Sequence, residues 1–269
     1  MGKTIGVISI KGGVGKTTIA SSLASDLVNH YGKKVLLVDA NYSAPNTGLH
    51  MDIVEPKATI HDVLAGNVRI SDAIHSSYGV DVIPGSYNSS KSINFLKLKD
   101  KLARVKDNYD FVILDSSPSL NEEILSSIIA SDALFVVTTS DYPTLSCSIK
   151  AANLAKSRGR PIAGIIVNRV KNSEYELSLD ELEYALGIPV VAKIKEDSGS
   201  LKSLFTRIPM SILNRNSSFG REINKLSSSI LGVKEEKNFF EKLFSFNMKR
   251  EEVNRQLLKA GFYKSIFGS

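Results

Sequence analysis

One segment near the N-terminus restricts the possible folds of this chain more than any other. An apolar stretch from Ile5 to Ile10 leads directly into a glycine-rich turn, and a helical pattern starts near Lys16. Glycines let the backbone wrap around a phosphate with its N–H groups pointing inward, and a helix N-terminus adds the positive end of its dipole. This order of strand, turn and helix predicts a phosphate-binding loop. Its candidate nucleotide-binding residues are Lys11, Gly12, Gly13, Val14, Gly15, Lys16, Thr17 and Thr18.

Two side chains of this loop have the chemistry that a nucleoside triphosphate requires. Lys16 is expected to bridge the β- and γ-phosphates, and the hydroxyl of Thr17 is expected to bind Mg²⁺. A glycine-rich turn without a ligand is the competing interpretation. The glycines and the lysine rarely occur by chance in this order between such a strand and such a helix, so the sequence favours a nucleoside triphosphate and Mg²⁺ as ligands.

Short apolar segments alternate with segments of helical periodicity along the rest of the chain. Most of the apolar segments lack polar alternation, as expected of strands that are buried on both faces. The pattern predicts an α/β fold, with a doubly wound, mostly parallel sheet and helices on both of its faces. The predicted strands are Thr4 to Ile10, Lys34 to Val38, Val80 to Ile83, Phe111 to Leu114, Ala133 to Val137, Ile162 to Val167 and Val190 to Ile194. The predicted helices are Thr18 to His30, Ser90 to Lys106, Asn121 to Ala130, Leu145 to Lys156, Leu179 to Leu186 and Gly199 to Leu204.

The composition changes at Val233, which predicts a P-loop domain over residues 1–232 and a helical tail over residues 233–269. Bulky apolar residues recur in the tail at i, i+1, i+4 and i+5, which form one face of an amphipathic helix. With lysines beside them, such faces suit the interface of an anionic membrane. Alternatively, one or both segments pack on the parent domain or pair with each other. The candidate membrane residues are Phe239, Phe240, Leu243, Phe244, Phe262, Tyr263, Ile266 and Phe267.

Composition excludes some classes of protein and leaves others open. Cys147 is the only cysteine, which excludes disulfides within the chain and Cys-x-x-Cys metal or iron–sulfur sites. We find neither a signal peptide nor an uninterrupted apolar run long enough to span a membrane, so a cytoplasmic protein is expected. The formal net charge of +6 permits nucleic acid or an anionic membrane as partner and does not discriminate between them.

The segment Lys11-Gly12-Gly13-Val14-Gly15-Lys16-Thr17 resembles the deviant Walker A motif of the MinD/ParA family of ATPases, with Ile10 where the usual pattern has glycine. The resemblance extends over nearly the whole chain and is nearest to archaeal MinD-type members. It implies a P-loop NTPase fold of the SIMIBI type. In that family the extra lysine, here Lys11, reaches across an ATP-dependent homodimer to the partner's phosphates. A second cation at the γ-phosphate would stabilise the transition state and couple catalysis to dimerisation.

Three further segments resemble family motifs. Residues 35–41 are similar to switch I and contain Asp39, and residues 109–118 are similar to Walker B and switch II and contain Asp115. The resemblance therefore implies a metal set of Thr17, Asp39 and Asp115, with Asp115 acting through a water. Asn168 and Arg169 fall in the segment that holds the adenine, where an amide side chain can both donate and accept.

Within the segment similar to switch I, one position departs from the family pattern. Switch I usually has a second aspartate that orients or activates the attacking water, and this chain has Asn41 there. An amide can hydrogen-bond water but cannot act as a base, so Asn41 as a catalytic residue, beside Lys11 and Lys16, predicts slow ATP hydrolysis. Alternatively, Asn41 is an engineered replacement of a natural aspartate.

The C-terminal segment 261–268 resembles the membrane-targeting tip of MinD. The resemblance implies a MinD-like ATPase that dimerises on ATP, sits peripherally on the inner face of the cell membrane and positions an unidentified protein partner, in cell division or another positioning process. A ParA-like partition ATPase, binding DNA without sequence specificity as the ATP dimer, is the alternative. An Mrp-type iron–sulfur carrier would need paired cysteines, which this chain lacks.

Overall fold

The computed structural model describes residues 2–88, 93–171, 173–233 and 250–257. Within them, eight strands form one sheet in the order β3-β4-β2-β5-β1-β6-β7-β8, and every neighbouring pair except β3–β4 is parallel. The strands are β1 (Lys3–Ile8), β2 (Val35–Ala40), β3 (His75–Ser77), β4 (Val80–Ile83), β5 (Phe111–Ser116), β6 (Ala133–Thr138), β7 (Ile162–Val170) and β8 (Val190–Lys195).

Helices cover both faces of the sheet. One face packs against α1 and α10, and the other carries α3 to α6. The helices are α1 (Lys16–Tyr31), α2 (Thr47–His50), α3 (Ile60–Ala65), α4 (Leu98–Leu102), α5 (Glu122–Ala130), α6 (Tyr142–Ser157), α7 (Leu179–Leu186), α8 (Gly199–Thr206), α9 (Met210–Leu213), α10 (Ser218–Ile230) and α11 (Arg250–Leu257). Short 3-10 helices span Ile70–Ala73, Phe95–Lys97 and Lys106–Asn108.

The fold prediction is confirmed, because the central strands are continuous apolar segments that helices cover on both sides. All residues of β2, β5 and β6 are buried. Parallel strands end at a common edge of the sheet, so the residues that follow β1, β2 and β5 lie close together. These are the segments that contain the predicted loop and the two predicted carboxylates.

Parts of the predicted secondary structure are wrong. The helix predicted from Ser90 to Lys106 is replaced, in its described part, by a 3-10 turn, the short helix α4 and a second 3-10 turn. The first turn begins at Asn94, whose side chain accepts from the N–H of Leu96. Strand β3 and helices α2, α3, α9 and α10 were not predicted.

Part of the predicted tail packs on the domain. Helix α11 lies against β8 and α10. The side chain of Asn254 donates to the carbonyl oxygen of Val190 at 2.9 Å, and Nη1 of Arg255 donates to that of Val191 at 2.7 Å. The eight aromatic and aliphatic positions predicted to contact a membrane lie outside the described residues. No helix in the described part of the chain is long and apolar enough to cross a membrane.

Candidate nucleotide site

The conformation of the glycine-rich loop is fixed by its glycines and by one distant side chain. Gly13 and Gly15 have φ angles of 79° and 94°, in the left-handed region that favours glycine. A Cβ atom on Gly15 would lie 2.3 Å from Nδ2 of Asn168. That amide, near the end of β7, donates to the carbonyl oxygen of Val14 at 2.7 Å. Asn168 is therefore joined to the phosphate loop, and only glycine allows it to approach so closely.

The two lysines of the loop have different environments. Lys16 is buried, and its Nζ donates to the carbonyl oxygen of Lys11 at 3.5 Å. Burial lowers the pKa of Lys16, and the carboxylate of Asp115 acts in the opposite direction. A buried ammonium group with only one long hydrogen bond is poorly compensated. The oxygens of a bound phosphate would compensate its charge and accept its hydrogen bonds. Lys11 is exposed and forms no salt bridge with any residue that the structure describes.

Asp39 organises the loop that follows β2. Its carboxylate is fully buried and accepts from the N–H groups of Asn41 at 3.1 Å, Asn46 at 3.0 Å and Thr47 at 3.0 Å. Burial and the neighbouring Asp115 raise the pKa of Asp39 to about 8. The two aspartates face each other in register on the adjacent strands β2 and β5.

Asp115 has one oxygen with a partner and one without. Oδ2 accepts from Oγ1 of Thr47 at 3.0 Å, and the buried Oδ1 has no hydrogen-bond partner. Burial raises the pKa of Asp115, whereas the nearby Thr17 hydroxyl and the Lys16 ammonium group lower it. A hard cation would supply the missing partner and reduce the repulsion between the two carboxylates. These residues therefore fit Mg²⁺. The unpaired Oδ1 of Asp115 and the Thr17 hydroxyl are the groups that would hold the ion.

Asn41 lies at the same edge of the sheet. Its Nδ2 donates to the carbonyl oxygen of Ala44 at 2.5 Å, while its Oδ1 is buried without a hydrogen-bond partner. That oxygen can accept a hydrogen bond from a water. An amide cannot take up a proton at neutral pH, so this side chain can hydrogen-bond a water but cannot act as its base.

The remaining predicted residues divide into two groups. Thr17 and Thr18 lie in the first turn of α1, next to the loop. Arg169 is exposed, has a φ of 57° and makes no described hydrogen bond to the loop. Sequence analysis missed Asn46, which donates to Asp39, and Thr47, which donates to both Asp39 and Asp115. Their only sequence signal is their position shortly after the segment similar to switch I.

Comparisons with known proteins agree with this geometry. A family model for the AAA domain matches residues 2–150. An uncharacterised ATP-binding protein of Methanocaldococcus jannaschii is 32% identical over 271 residues, covering 100% of this chain and 98% of that protein. The septum site-determining protein MinD of Thermotoga maritima is 30% identical over 249 residues, or 86% of this chain and 89% of that protein. The structure of MinD from Pyrococcus horikoshii complexed with Mg-ADP superposes with a TM-score of 0.81 at 28% identity, covering 86% of this chain and 96% of that one.

Proposed function

Since this chain belongs to the AAA-domain family and, within it, to the MinD/ParA-type P-loop ATPases, we propose that ATP makes it dimerise and that the dimer attaches to the cell membrane. The chain binds ATP and Mg²⁺. In the dimer, Lys11 of each protomer contacts the phosphates held by its partner. The attached dimer positions another protein on the inner face of the membrane, as in placing a division site.

The exposure of Lys11 is the observation that carries this proposal. Its neighbour Lys16 already places one buried cation inside the loop, and Lys11 has no salt bridge among the described residues. A partner's phosphate groups would give Lys11 a ligand and add positive charge where charge develops during phosphoryl transfer.

Light scattering with Mg²⁺ and either ATP or ADP tests the dimer. The native chain is expected to dimerise with ATP and to stay monomeric with ADP. Lys11→Ala is expected to bind ATP and remain monomeric, whereas Lys57→Ala, which removes another exposed lysine, is expected to behave as the native chain. Dimerisation of Lys11→Ala at native concentrations would refute the role of Lys11.

Slow hydrolysis is the second part of the proposal. Asn41 supplies a hydrogen-bond acceptor and no base, so the ATP-bound dimer is long-lived. Introducing a carboxylate in Asn41→Asp should accelerate ATP hydrolysis by roughly a hundredfold or more, from the lower end of general-base effects upward. Equal single-turnover rates for the two chains would contradict this role.

Membrane attachment depends on the aromatic tail segments. One short apolar face binds a bilayer weakly because the ordering of the segment offsets part of its burial. Two such faces per chain, doubled in the dimer, raise the effective concentration and convert weak binding into firm attachment. Attachment therefore follows the nucleotide state.

Vesicle sedimentation of the full chain tests this attachment. Phe262→Ser with Phe267→Ser should greatly reduce binding to vesicles in ATP. The control, Tyr175→Ser with Phe205→Ser, removes two aromatic side chains that are 88% and 90% exposed on the domain, and it should bind as the native chain does. Equal binding by both double variants would rule out a tail anchor.

A role as a DNA-partition ATPase that binds duplex DNA is a second candidate function, supported by the net charge of +6. Phosphate contacts would make such binding independent of sequence and steeply dependent on salt. Retention of duplex DNA by the ATP-bound chain, combined with no sedimentation on vesicles, would favour this function over membrane attachment.

A further inference from the structure

A charged groove lies on the side of the domain formed by the end of β8, the N-terminal part of α10 and helix α11. Its volume is about 590 Å³. Its basic lining residues are Lys193 and Lys195 on β8, Arg221 and Lys225 on α10, and Arg250 on α11. No residue assigned above to the nucleotide or metal site lines this groove.

Some of these cations are already neutralised. Lys225 lies 3.5 Å from Glu252 and 4.0 Å from Glu222. Arg250 pairs with Asp180 and, at 2.6 Å, with Glu183. These two cations therefore connect α11 to the neighbouring helices α10 and α7, and their charge is balanced by carboxylates.

Three other cations have no such partner. Lys193, Lys195 and Arg221 form no salt bridge with any residue that the structure describes, although Arg221 donates to the carbonyl oxygen of Asn216. Among the lining carboxylates only Glu251 is likewise without a salt bridge in the described chain. Three uncompensated positive charges therefore stand against one negative charge. This excess of positive charge makes the groove suitable for an anionic ligand.

The wall that α11 contributes is held by a buried arginine. Arg255 is 3% exposed and donates through Nη1 to Glu222 at 2.7 Å and to the carbonyl oxygen of Val191 at 2.7 Å. The same Glu222 oxygen accepts from the backbone N–H of Lys193 at 3.3 Å. The ion pair that anchors α11 thus also fixes the strand that carries two of the free lysines.

The helix that lines the groove lies close to both aromatic segments in the sequence. Residues 245–249 separate Phe244 from the start of α11, and residues 258–261 separate its end from Phe262. Links of this length span at most roughly 20 Å when fully extended. If the aromatic segments enter a bilayer, this face of the domain is held near the headgroups.

We propose that this groove binds phosphate groups of anionic lipid headgroups, so that the face formed by β8, α10 and α11 lies against the membrane. The proposal rests on the membrane attachment proposed above and assigns the orientation of the domain. Lysine and arginine form charge-assisted hydrogen bonds to phosphate oxygens. Each such cation at an anionic surface strengthens binding roughly fivefold.

The test uses the full chain with ATP and Mg²⁺ and vesicles of phosphatidylglycerol mixed with phosphatidylcholine. The groove variant is Lys193→Gln with Arg221→Gln. The control is Lys97→Gln with Lys99→Gln, which removes the same charge from exposed positions at α4. The groove variant should bind these vesicles at least tenfold more weakly, whereas the control should stay within about twofold of the native chain. Both variants should hydrolyse ATP at the native rate.

Each other outcome overturns a specific part of the inference. Equal weakening in both variants would show that net charge acts without the groove, and the tail anchor would stand. A native chain that sediments on no vesicle would refute membrane attachment and the groove's role together. If the groove variant loses duplex DNA but keeps its vesicle binding, the groove's ligand is nucleic acid and the lipid assignment is wrong.

Discussion

Replacing Thr47 with valine would remove one hydroxyl group from between two buried carboxylates while keeping the shape of the side chain. Oγ1 of Thr47 donates to Oδ2 of Asp115 at 3.0 Å, and Oδ1 of Asp115 already lacks a partner. Thr47 is fully buried, so no water replaces the lost donor. Leaving a buried acceptor unpaired costs about 1–3 kcal/mol. Each kcal/mol lowers the unfolding temperature of a domain of this size by about 2–4 °C, so a fall of roughly 2–12 °C is expected.

Circular dichroism melts without nucleotide measure this effect. Thr47→Ser is the matched control, because it keeps the hydroxyl and removes only a methyl group, a deletion of the kind that costs about 0.5–1.5 kcal/mol in a core. The serine variant should therefore unfold closer to the native temperature than the valine variant. A valine variant as stable as the serine variant would show that the hydroxyl does not support Asp115.

Three further outcomes follow from the site and from α11. Gly15→Ala should weaken ATP binding at least tenfold in a nucleotide titration, because the added methyl group meets Asn168 and the φ of 94° strains alanine; native affinity would contradict the loop geometry. Without nucleotide, the free energy of unfolding should fall as pH rises from about 6.5 to about 8, since folded Asp39 keeps a proton that the unfolded chain has released. The slope should not exceed about 1.4 kcal/mol per pH unit, and urea titrations that show rising stability in this range would refute it. At lower pH the partly buried His50, whose pKa burial lowers from 6.5 to about 4, acts in the opposite direction. Arg255→Met should accelerate amide hydrogen exchange over residues 250–257, as measured by mass spectrometry, because α11 loses its buried ion pair; unchanged protection would show that the pair does not anchor the helix.

The fold was predictable because its signals are local. Strands β5 and β6 are buried on both faces and appear in the sequence as continuous apolar segments. The phosphate loop combines glycines, a lysine and a threonine in an order that has few other uses. The family, the sheet architecture and the cofactors ATP and Mg²⁺ were predicted from these segments and are confirmed.

Other features depend on contacts between distant segments. Helix α10 is not one of these features, because Phe219, Ile223 and Leu226 recur at helical spacing, a local signal that sequence analysis overlooked. Asn46 and Thr47 hold the nearby Asp39 through their N–H groups, but the bond from the Thr47 hydroxyl to Asp115 exists only because β2 and β5 are neighbours. No local pattern distinguishes these two residues from an ordinary polar loop.

Helix α11 illustrates the same limit at a larger scale. It is highly charged, so its sequence alone suggests a helix surrounded by water. In the structure, the buried Arg255 meets Glu222, which lies on α10 and 33 residues earlier in the chain. Pairing of this kind depends on the position of the partner carboxylate in space, which the periodicity of the helix does not encode.

The packing of α11 on β8 also affects how the chain avoids associating with itself. β8 is the last strand of the sheet, and α11 supplies hydrogen-bond donors to two of its main-chain carbonyl groups. A bare outer strand is a template to which a strand of another molecule can add, which leads to aggregation. A chain cut after Gly232 would therefore lose this cover together with its aromatic segments. Helix α11 covers part of this edge, and point substitutions in the aromatic segments of the intact chain would leave that cover in place, whereas truncation would not.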